Sequence, residues 1–180
     1  MFAETTSLGG LNLQLCYFRG QGEIVAGDWL SNTAQLAKRM SSVTCAAGRT
    51  QLESVLRHAA REAASAKVNA LVFVGDAMEE KTNRVFAAAS KLSILGAPVF
   101  LFQEGGNPVA KRAFSEVAKL AGGAWCAFDG SSVQQLRDLL SAVAAYAAGR
   151  KSALENFTER KGGATRQLTH QFRLGYDKKK

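Results

Sequence analysis

The stretch Val68-Asn-Ala-Leu-Val-Phe-Val74, followed by Gly75 and Asp76, decides the fold of this chain. An apolar run of this length is typical of a strand that is buried on both faces of a parallel sheet. Helical patterns flank it at residues 50–66 and 79–95. Because strands that alternate with helices favour parallel βαβ units, the sequence predicts an α/β fold.

The same alternation extends in both directions along the chain. Strands are predicted at 98–102 and 124–128, and helices at 108–121 and 133–148. Before the central stretch, a period-two strand at 11–18, a turn at 19–22 and a short strand at 23–26 predict a hairpin, with a helix at 32–43. Since so tight a turn joins only antiparallel strands, the hairpin is expected to add one antiparallel edge strand to a mostly parallel sheet.

Polar residues typical of helix caps stand at the start of each predicted helix and support these boundaries. They are Asn32 with Gln35, Thr50 with Glu53, Asp76 with Glu79, Asn107 with Pro108, and Ser131 with Gln134. Such side chains accept hydrogen bonds from the first free amides of a helix, each worth about 1 kcal/mol. Capping is therefore an alternative to any functional role for Thr50 and Asp76.

Composition excludes several classes of protein. The chain has 180 residues, 47% of them hydrophobic and 21% charged, which excludes disordered, collagen-like and coiled-coil chains and suits a single domain. Cys16, Cys45 and Cys126 are odd in number and form no C-x-x-C pair, so they are interpreted as buried hydrophobes, with Cys45 the one to test for reactivity. The sequence shows neither a signal-peptide pattern nor a membrane-spanning run, which predicts a cytoplasmic protein without membrane partners.

Charge divides the chain into a body and a basic tail. Residues 150–180 carry +6 of the formal net charge of +8. We therefore predict a domain at 1–149 and a basic C-terminal tail at 150–180, which begins with a polar linker at 150–165. Within the tail, alternating residues at 168–176 predict a strand-like peptide that adds to a sheet edge. Its predicted contact residues are Leu168, Phe172, Leu174 and Tyr176.

Motifs of common catalytic classes are absent from the sequence. It contains neither a G-x-x-x-x-G-K-[ST] phosphate loop nor a G-x-S-x-G elbow, and Val25 replaces the third glycine of a dinucleotide fingerprint that would begin at Gly20. The histidines are His58, within a helix, and His170, in the tail, and neither is paired with a nucleophile by any motif. We therefore predict no catalytic residues, and a small-molecule substrate is not favoured.

Polar residues follow two predicted elements at the edge where open parallel sheets bind ligands, the carboxyl ends of the strands. Asp76 follows the buried strand directly, and Thr50 ends the glycine-containing loop at 45–50. A carboxylate and a hydroxyl are hard oxygen donors, which suit Mg²⁺ or Mn²⁺. A partner-binding rim is predicted from the residues near this edge, namely Arg49, Thr50, Asp76, Met78, Glu79 and Glu104. The glutamates among them are equally well explained as loop and first-turn charges.

The order of these elements resembles the von Willebrand factor type A family over roughly residues 11–148. The features that carry the resemblance are the hairpin, the loop ending in Thr50-Gln51, the buried strand ending in Asp76, and the helix followed by Gly122-Gly123 and an aromatic strand. It implies a Rossmann-like open sheet with helices on both faces, and a protein-interaction role at a divalent-cation adhesion site. Thr50 matches the family's second metal motif and Asp76 its third, with Ala77 in the usual glycine position.

The family's first metal motif, Asp-x-Ser-x-Ser, does not occur in the sequence, and the strand before it is not matched. This leaves an empty slot between two strands of the expected sheet. Three explanations are open: Met1 is internal to a longer gene product, which we favour; the flanking strands pair directly; or residues 168–176 fill the slot.

The leading hypothesis for function is a binding module that recognises a protein partner at the rim. The alternatives are a metal-dependent enzyme or its accessory subunit, anchored on Asp76, and nucleic-acid tethering through the basic tail, which the sparse aromatic residues there do not favour.

Overall fold

The computed structural model describes residues 10–20, 22–44 and 48–177, with the side chains of all of these except Thr33 and 173–177. Cys45 and the three C-terminal lysines lie outside the described residues. The strands are β1 (Leu13–Arg19), β2 (Glu23–Leu30), β3 (Leu71–Gly75), β4 (Val99–Glu104) and β5 (Ala124–Phe128). The helices are α1 (Thr33–Ser41), α2 (Leu52–Ser65), α3 (Thr82–Ile94), α4 (Pro108–Ala121), α5 (Val133–Lys161) and α6 (Ala164–Asp177). Each element predicted between residues 11 and 148 is present, several with shifted ends.

A three-stranded parallel sheet in the order β3-β4-β5 lies at the centre of the molecule, which confirms the α/β class. Its central strand, β4, is buried on both faces because successive side chains point to opposite sides. Val99 and Leu101 belong to a core beneath α2, α3 and α4. Phe100 and Phe102 belong to a second core beneath α5 and α6. Helices therefore cover both faces of the sheet, as predicted.

The hairpin forms a sheet of its own. β1 and β2 pair antiparallel, and neither is hydrogen-bonded to the parallel sheet, so the predicted single mixed sheet is not present among the described strands. Side chains make the connection instead. The ring of Phe18 stacks on that of Phe73 with 6.0 Å between centroids, and Gln51 Nε2 donates a hydrogen bond of 3.4 Å to the carbonyl of Arg19.

A pair of glycines joins α4 to β5. Gly122 ends the helix with φ of 73°, a left-handed conformation that glycine adopts without a steric penalty. Gly123 lies so close to β4 that a Cβ atom there would collide with the backbone of Val99. The second glycine therefore permits the chain to pass directly alongside β4 as β5 begins.

The C-terminal tail is helical, so the predicted linker at 150–165 and the predicted strand-like peptide at 168–176 are both wrong. α5 continues through residue 161, and α6 folds back from it. Because Leu168 and Phe172 are four residues apart, a helix places them on one face, where both are buried in the second core. The Phe172 ring lies 5.9 Å from that of Phe100. The tail therefore does not fill the slot next to β3.

A kink divides α5 at the point where the predicted domain ends and the tail begins. Gly149 and Arg150 leave the helical conformation, and Arg150 has φ of 58°, which is unusual for a residue with a side chain. The Arg150 guanidinium donates to Asn69 Oδ1 at 2.8 Å and lies over the Tyr146 ring at 5.8 Å. Asn69 in turn donates to the carbonyl of Ala147 at 2.9 Å. These contacts attach the kink to the segment that leads into β3.

None of the helices in the described part of the chain combines the length and apolar character that crossing a bilayer requires.

We expect Phe172→Ala to lower the free energy of unfolding by about 3–5 kcal/mol, because it removes a buried ring and leaves a cavity. The matched control is Gln167→Ala, at an exposed position of the same helix, which is expected to change stability by less than about 0.5 kcal/mol. Urea unfolding followed by circular dichroism measures both values. Equal, small losses in the two variants would contradict the docking of α6.

Candidate functional site

The loop after β3 is bound to the segment before α2, which brings the two predicted site regions together. The Thr50 hydroxyl donates a hydrogen bond of 2.9 Å to the carbonyl of Ala77, next to Asp76. The main-chain N–H of Thr50 donates to Glu79 Oε2 at 3.2 Å. Thr50 is only 7% exposed, whereas Glu79 is exposed, so the two bonds join a buried residue to the surface of the loop. This pair of bonds holds the candidate site at the carboxyl end of β3.

Glu80 caps α2 from a different part of the chain. The first amides of a helix have no partner within it and favour a negative charge. The residue at the cap position of α2 is Gln51, whose side chain makes no capping bond. Instead, both carboxylate oxygens of Glu80 accept from the main-chain N–H of Glu53 at 3.2 Å. Glu80 therefore satisfies the start of α2, while Glu79 of the same loop accepts from Thr50, two residues before the helix.

Two of the five predicted caps are confirmed and three are not. Asn32 accepts from the amides of Ala34 and Gln35, and Asn107 accepts from those of Val109 and Ala110. Thr50 and Asp76 do not cap: α2 begins after Gln51, and α3 begins only after Lys81. The cap of α5 is Ser132, one residue after the predicted Ser131. Tertiary contacts displaced these helix starts, because the loop at 75–81 packs against α2.

A polar cleft of about 320 Å³ lies over this junction. Its lining residues are Arg49, Thr50, Glu53, Glu79, Glu80, Lys81 and Arg84. Glu53 pairs with Arg57 at 3.0 Å and with Arg84 at 3.3 Å, which neutralises one wall of the cleft. Of these residues, the sequence prediction included Arg49, Thr50 and Glu79 and missed the others. Glu80 could have been included in the prediction, because it is acidic and follows Glu79 directly. Its capping role could not be predicted, because the amide that donates to its carboxylate is 27 residues away.

The remaining predicted rim residues occupy different surroundings. Asp76 is exposed at the end of β3, and Glu104 is exposed at the end of β4. Met78 is only 6% exposed and belongs to the core beneath α2 to α4, so its side chain does not lie on the rim surface. The exposed rim is therefore made of charged side chains.

The residues predicted to hold Mg²⁺ or Mn²⁺ lie on neighbouring segments, since Thr50 bonds to the residue that follows Asp76. Among the described residues, no three His, Cys, Asp or Glu side chains converge on a common point. The Thr50 hydroxyl donates its proton to the carbonyl of Ala77 and keeps its lone pairs, and Asp76 is the single carboxylate that the family resemblance adds. Thr50 and Asp76 supply two oxygen donors, whereas Mg²⁺ and Mn²⁺ are usually held by several oxygen ligands.

The described thiols and the imidazole of His58 take part in packing and hydrogen bonding within the fold. Burial raises the pKa of the Cys126 thiol to about 12, and burial together with the charge of Glu62 raises that of Cys16. Both thiols are therefore protonated and weakly nucleophilic at neutral pH. His58 Nε2 lies 2.9 Å from Gln14 Oε1 and connects α2 to the hairpin.

A second cleft, of about 400 Å³, lies between the end of α5 and α6. Glu155, Thr158, Glu159, Arg166, Thr169 and His170 line it. Thr158 and Thr169 share a buried hydrogen bond of 2.7 Å at its base. A linker and a strand, as predicted for this segment, would not form such a cleft between two helices.

Comparison of the chain with protein-family models, with curated proteins and with solved structures finds no match.

We expect Thr50→Val to lower the free energy of unfolding by about 1–2 kcal/mol, because the carbonyl of Ala77 loses its donor. Thr50→Ser keeps the hydroxyl and is expected to lose clearly less. Urea unfolding of the two variants beside the unmodified protein gives the comparison. Indistinguishable losses would mean that the hydroxyl bond does not stabilise this junction.

Glu80 is expected to make stability depend on pH. Burial raises the pKa of its carboxyl above the ordinary value of 4.5, and the amides of Glu53 and Leu52 offset this only in part. A group whose pKa is higher in the folded state stabilises the fold at low pH, and this contribution disappears as pH rises through the folded-state value. Between pH 4 and pH 7, the protein should therefore become less stable relative to its Glu80→Gln variant. Denaturant unfolding across this range tests the prediction, and a constant difference between the two proteins would contradict it.

Proposed function

We propose that the protein is a non-catalytic binding module of the von Willebrand factor A type, which recognises a protein partner at the rim beyond β3. The observation that carries the proposal is the hydrogen bond between Thr50 and the carbonyl of Ala77. It joins the two segments that bear the predicted site residues and gives a preformed edge at the carboxyl ends of the parallel strands, where ligands of such sheets bind. A Rossmann-like arrangement of helices on both faces of the sheet is consistent with this assignment.

The charge of the rim indicates the chemistry of the partner. Asp76, Glu79 and Glu104 are exposed at the ends of β3 and β4, on a chain whose formal net charge is +8. An acidic edge on a basic protein favours partners with Lys or Arg side chains and disfavours acidic ones. We therefore propose a partner that carries a basic segment.

The proposal assigns recognition to protein side chains and not to a bound cation. Its support is the donor set described above, in which Thr50 and Asp76 lack further converging carboxylates. The proposal also assigns no reaction to the site, since the described thiols are raised in pKa and His58 is engaged with Gln14.

The rim is tested with a photocrosslinking amino acid placed at position 76 or, as the matched control, at position 94. Ile94 is 86% exposed at the C-terminal end of α3, and that end of the helix faces away from the rim. In cells of the native host, position 76 is expected to crosslink a defined protein, identified by mass spectrometry, at least about tenfold more than position 94 does. Crosslinking should fall at high salt, because exposed charges are screened, and should persist in EDTA.

Three results would contradict the proposal. These are equal crosslinking at the two positions, a captured protein whose contact peptide is acidic, and loss of the crosslink in EDTA with recovery in Mn²⁺. The last result would assign recognition to a cation and would restore the predicted adhesion site.

A further inference from the structure

The loops that follow β4 and β5 lead to opposite faces of the parallel sheet. After β4 the chain enters α4, which packs through Phe114 into the core beneath α2, α3 and α4. After β5 it enters α5, which packs through Leu139 into the second core. Neighbouring strands whose connections diverge in this way leave a crevice at their carboxyl ends, where open α/β sheets bind ligands. We call this place, between the loops at 105–107 and 129–131, the β4–β5 crevice.

The walls of the β4–β5 crevice are held by hydrogen bonds within the chain and are open to solvent. The N–H of Gly105 donates to the carbonyl of Phe128 at 3.2 Å and joins the two loops. The buried side chain of Gln103 donates from Nε2 to the carbonyl of Asn107 at 2.8 Å, which fixes the loop after β4. A Cβ atom at Gly105 or Gly106 would have no described atom within 4 Å. Space for a ligand group is therefore present beside a preformed loop.

The side chain of Glu104 reaches from the end of β4 to the loop after β5. Gly130 makes room for it, since a Cβ atom at that position would collide with Glu104 Oε1. The backbone of Gly130 is not in the left-handed conformation that favours glycine, so the missing side chain is what matters here. Asn107 and Ser132 cap α4 and α5, whereas none of the described residues forms a hydrogen bond or an ion pair with the Glu104 carboxylate. The crevice thus presents a negative charge with unused acceptor capacity.

We propose that the β4–β5 crevice receives a cationic side chain of the partner, with Glu104 as the binding carboxylate and Gly130 as the residue that positions it. This inference rests on the proposed function, in which a basic segment binds the rim, and it assigns the contact to one place on that rim. A guanidinium or ammonium group donates the hydrogen bonds that a carboxylate accepts. Asp129 adds a second negative charge, and the N–H of Ser131 holds the pKa of its carboxyl below the usual value. Both charges disfavour an anionic ligand.

The test uses a dye-labelled synthetic peptide in which arginines alternate with serines, at low ionic strength. Glu104→Gln removes the charge, whereas Gly130→Ala retains the charge and displaces the carboxylate. Because the displaced atoms are the end of a flexible side chain, Gly130→Ala is expected to unfold at the same urea concentration as the unmodified protein. Glu116→Gln removes the same charge from the middle of α4 and is the matched control.

Fluorescence anisotropy is expected to show saturable binding that Glu104→Gln and Gly130→Ala each weaken about threefold, as for an exposed ion pair, and that Glu116→Gln leaves unchanged. The double variant should lose no more than Glu104→Gln alone, because Gly130 acts only through that carboxylate. Equal affinities of Glu104→Gln and Glu116→Gln, additive losses in the double variant, or the absence of saturable binding would overturn the proposal.

Asp76→Asn separates this result from the proposed function. If Asp76→Asn weakens peptide binding and Glu104→Gln does not, the rim remains the binding surface and the β4–β5 crevice is excluded. If neither variant weakens binding, the crevice and the acidic rim are both excluded.

Discussion

The structure depends on the burial of β4 on both faces from Val99 to Gln103. Val99, Phe100, Leu101 and Phe102 have no measurable exposure, and they supply alternate side chains to the two cores. A strand in this position needs main-chain partners on both sides, and β3 and β5 provide them in parallel register. Parallel pairing in turn requires connections that cross a face of the sheet, which explains why helices separate all three strands. Both cores are therefore organised around one strand.

Among the described residues, the outward main-chain groups of the two outer strands have different surroundings. At β5, the fold-back of α6 brings Gln171 to the edge, and Leu168 and Phe172 attach the same helix to the second core. Near β3, the hairpin is attached by side chains: the Phe18 ring contacts Phe73, and hydrogen bonds join the hairpin to Gln51, His58 and Glu62.

The candidate rim is formed by residues at the carboxyl ends of strands in the same sheet. The loop that leaves β3 is short, and it reaches α2 through the Thr50 hydroxyl and through the carboxylates of Glu79 and Glu80. Burial raises the pKa of the Glu80 carboxyl, and its hydrogen bonds to the first amides of α2 act in the opposite direction. The remaining carboxylates, Asp76 and Glu104, stay in water at the strand ends. One edge thus combines a rigid buried junction with an exposed acidic surface.

The sequence by itself determined the elements whose signals are local. The apolar runs at 68–74 and 98–102 predict buried strands, and Asn107 with Pro108 and the paired glycines at 122–123 define the ends of α4. Helix starts, the conformation of the tail and the pairing of strands depend on residues far apart in the chain, and the tertiary structure set them. Glu80 caps a helix that begins 28 residues earlier in the chain, and this displaced the predicted starts of α2 and α3. The spacing of Leu168 and Phe172 suits both a strand and a helix, and the ring surfaces of Phe100 and Tyr146 selected the helix. Whether the hairpin joins the parallel sheet was likewise beyond local signals, since strand pairing depends on which edges meet in space.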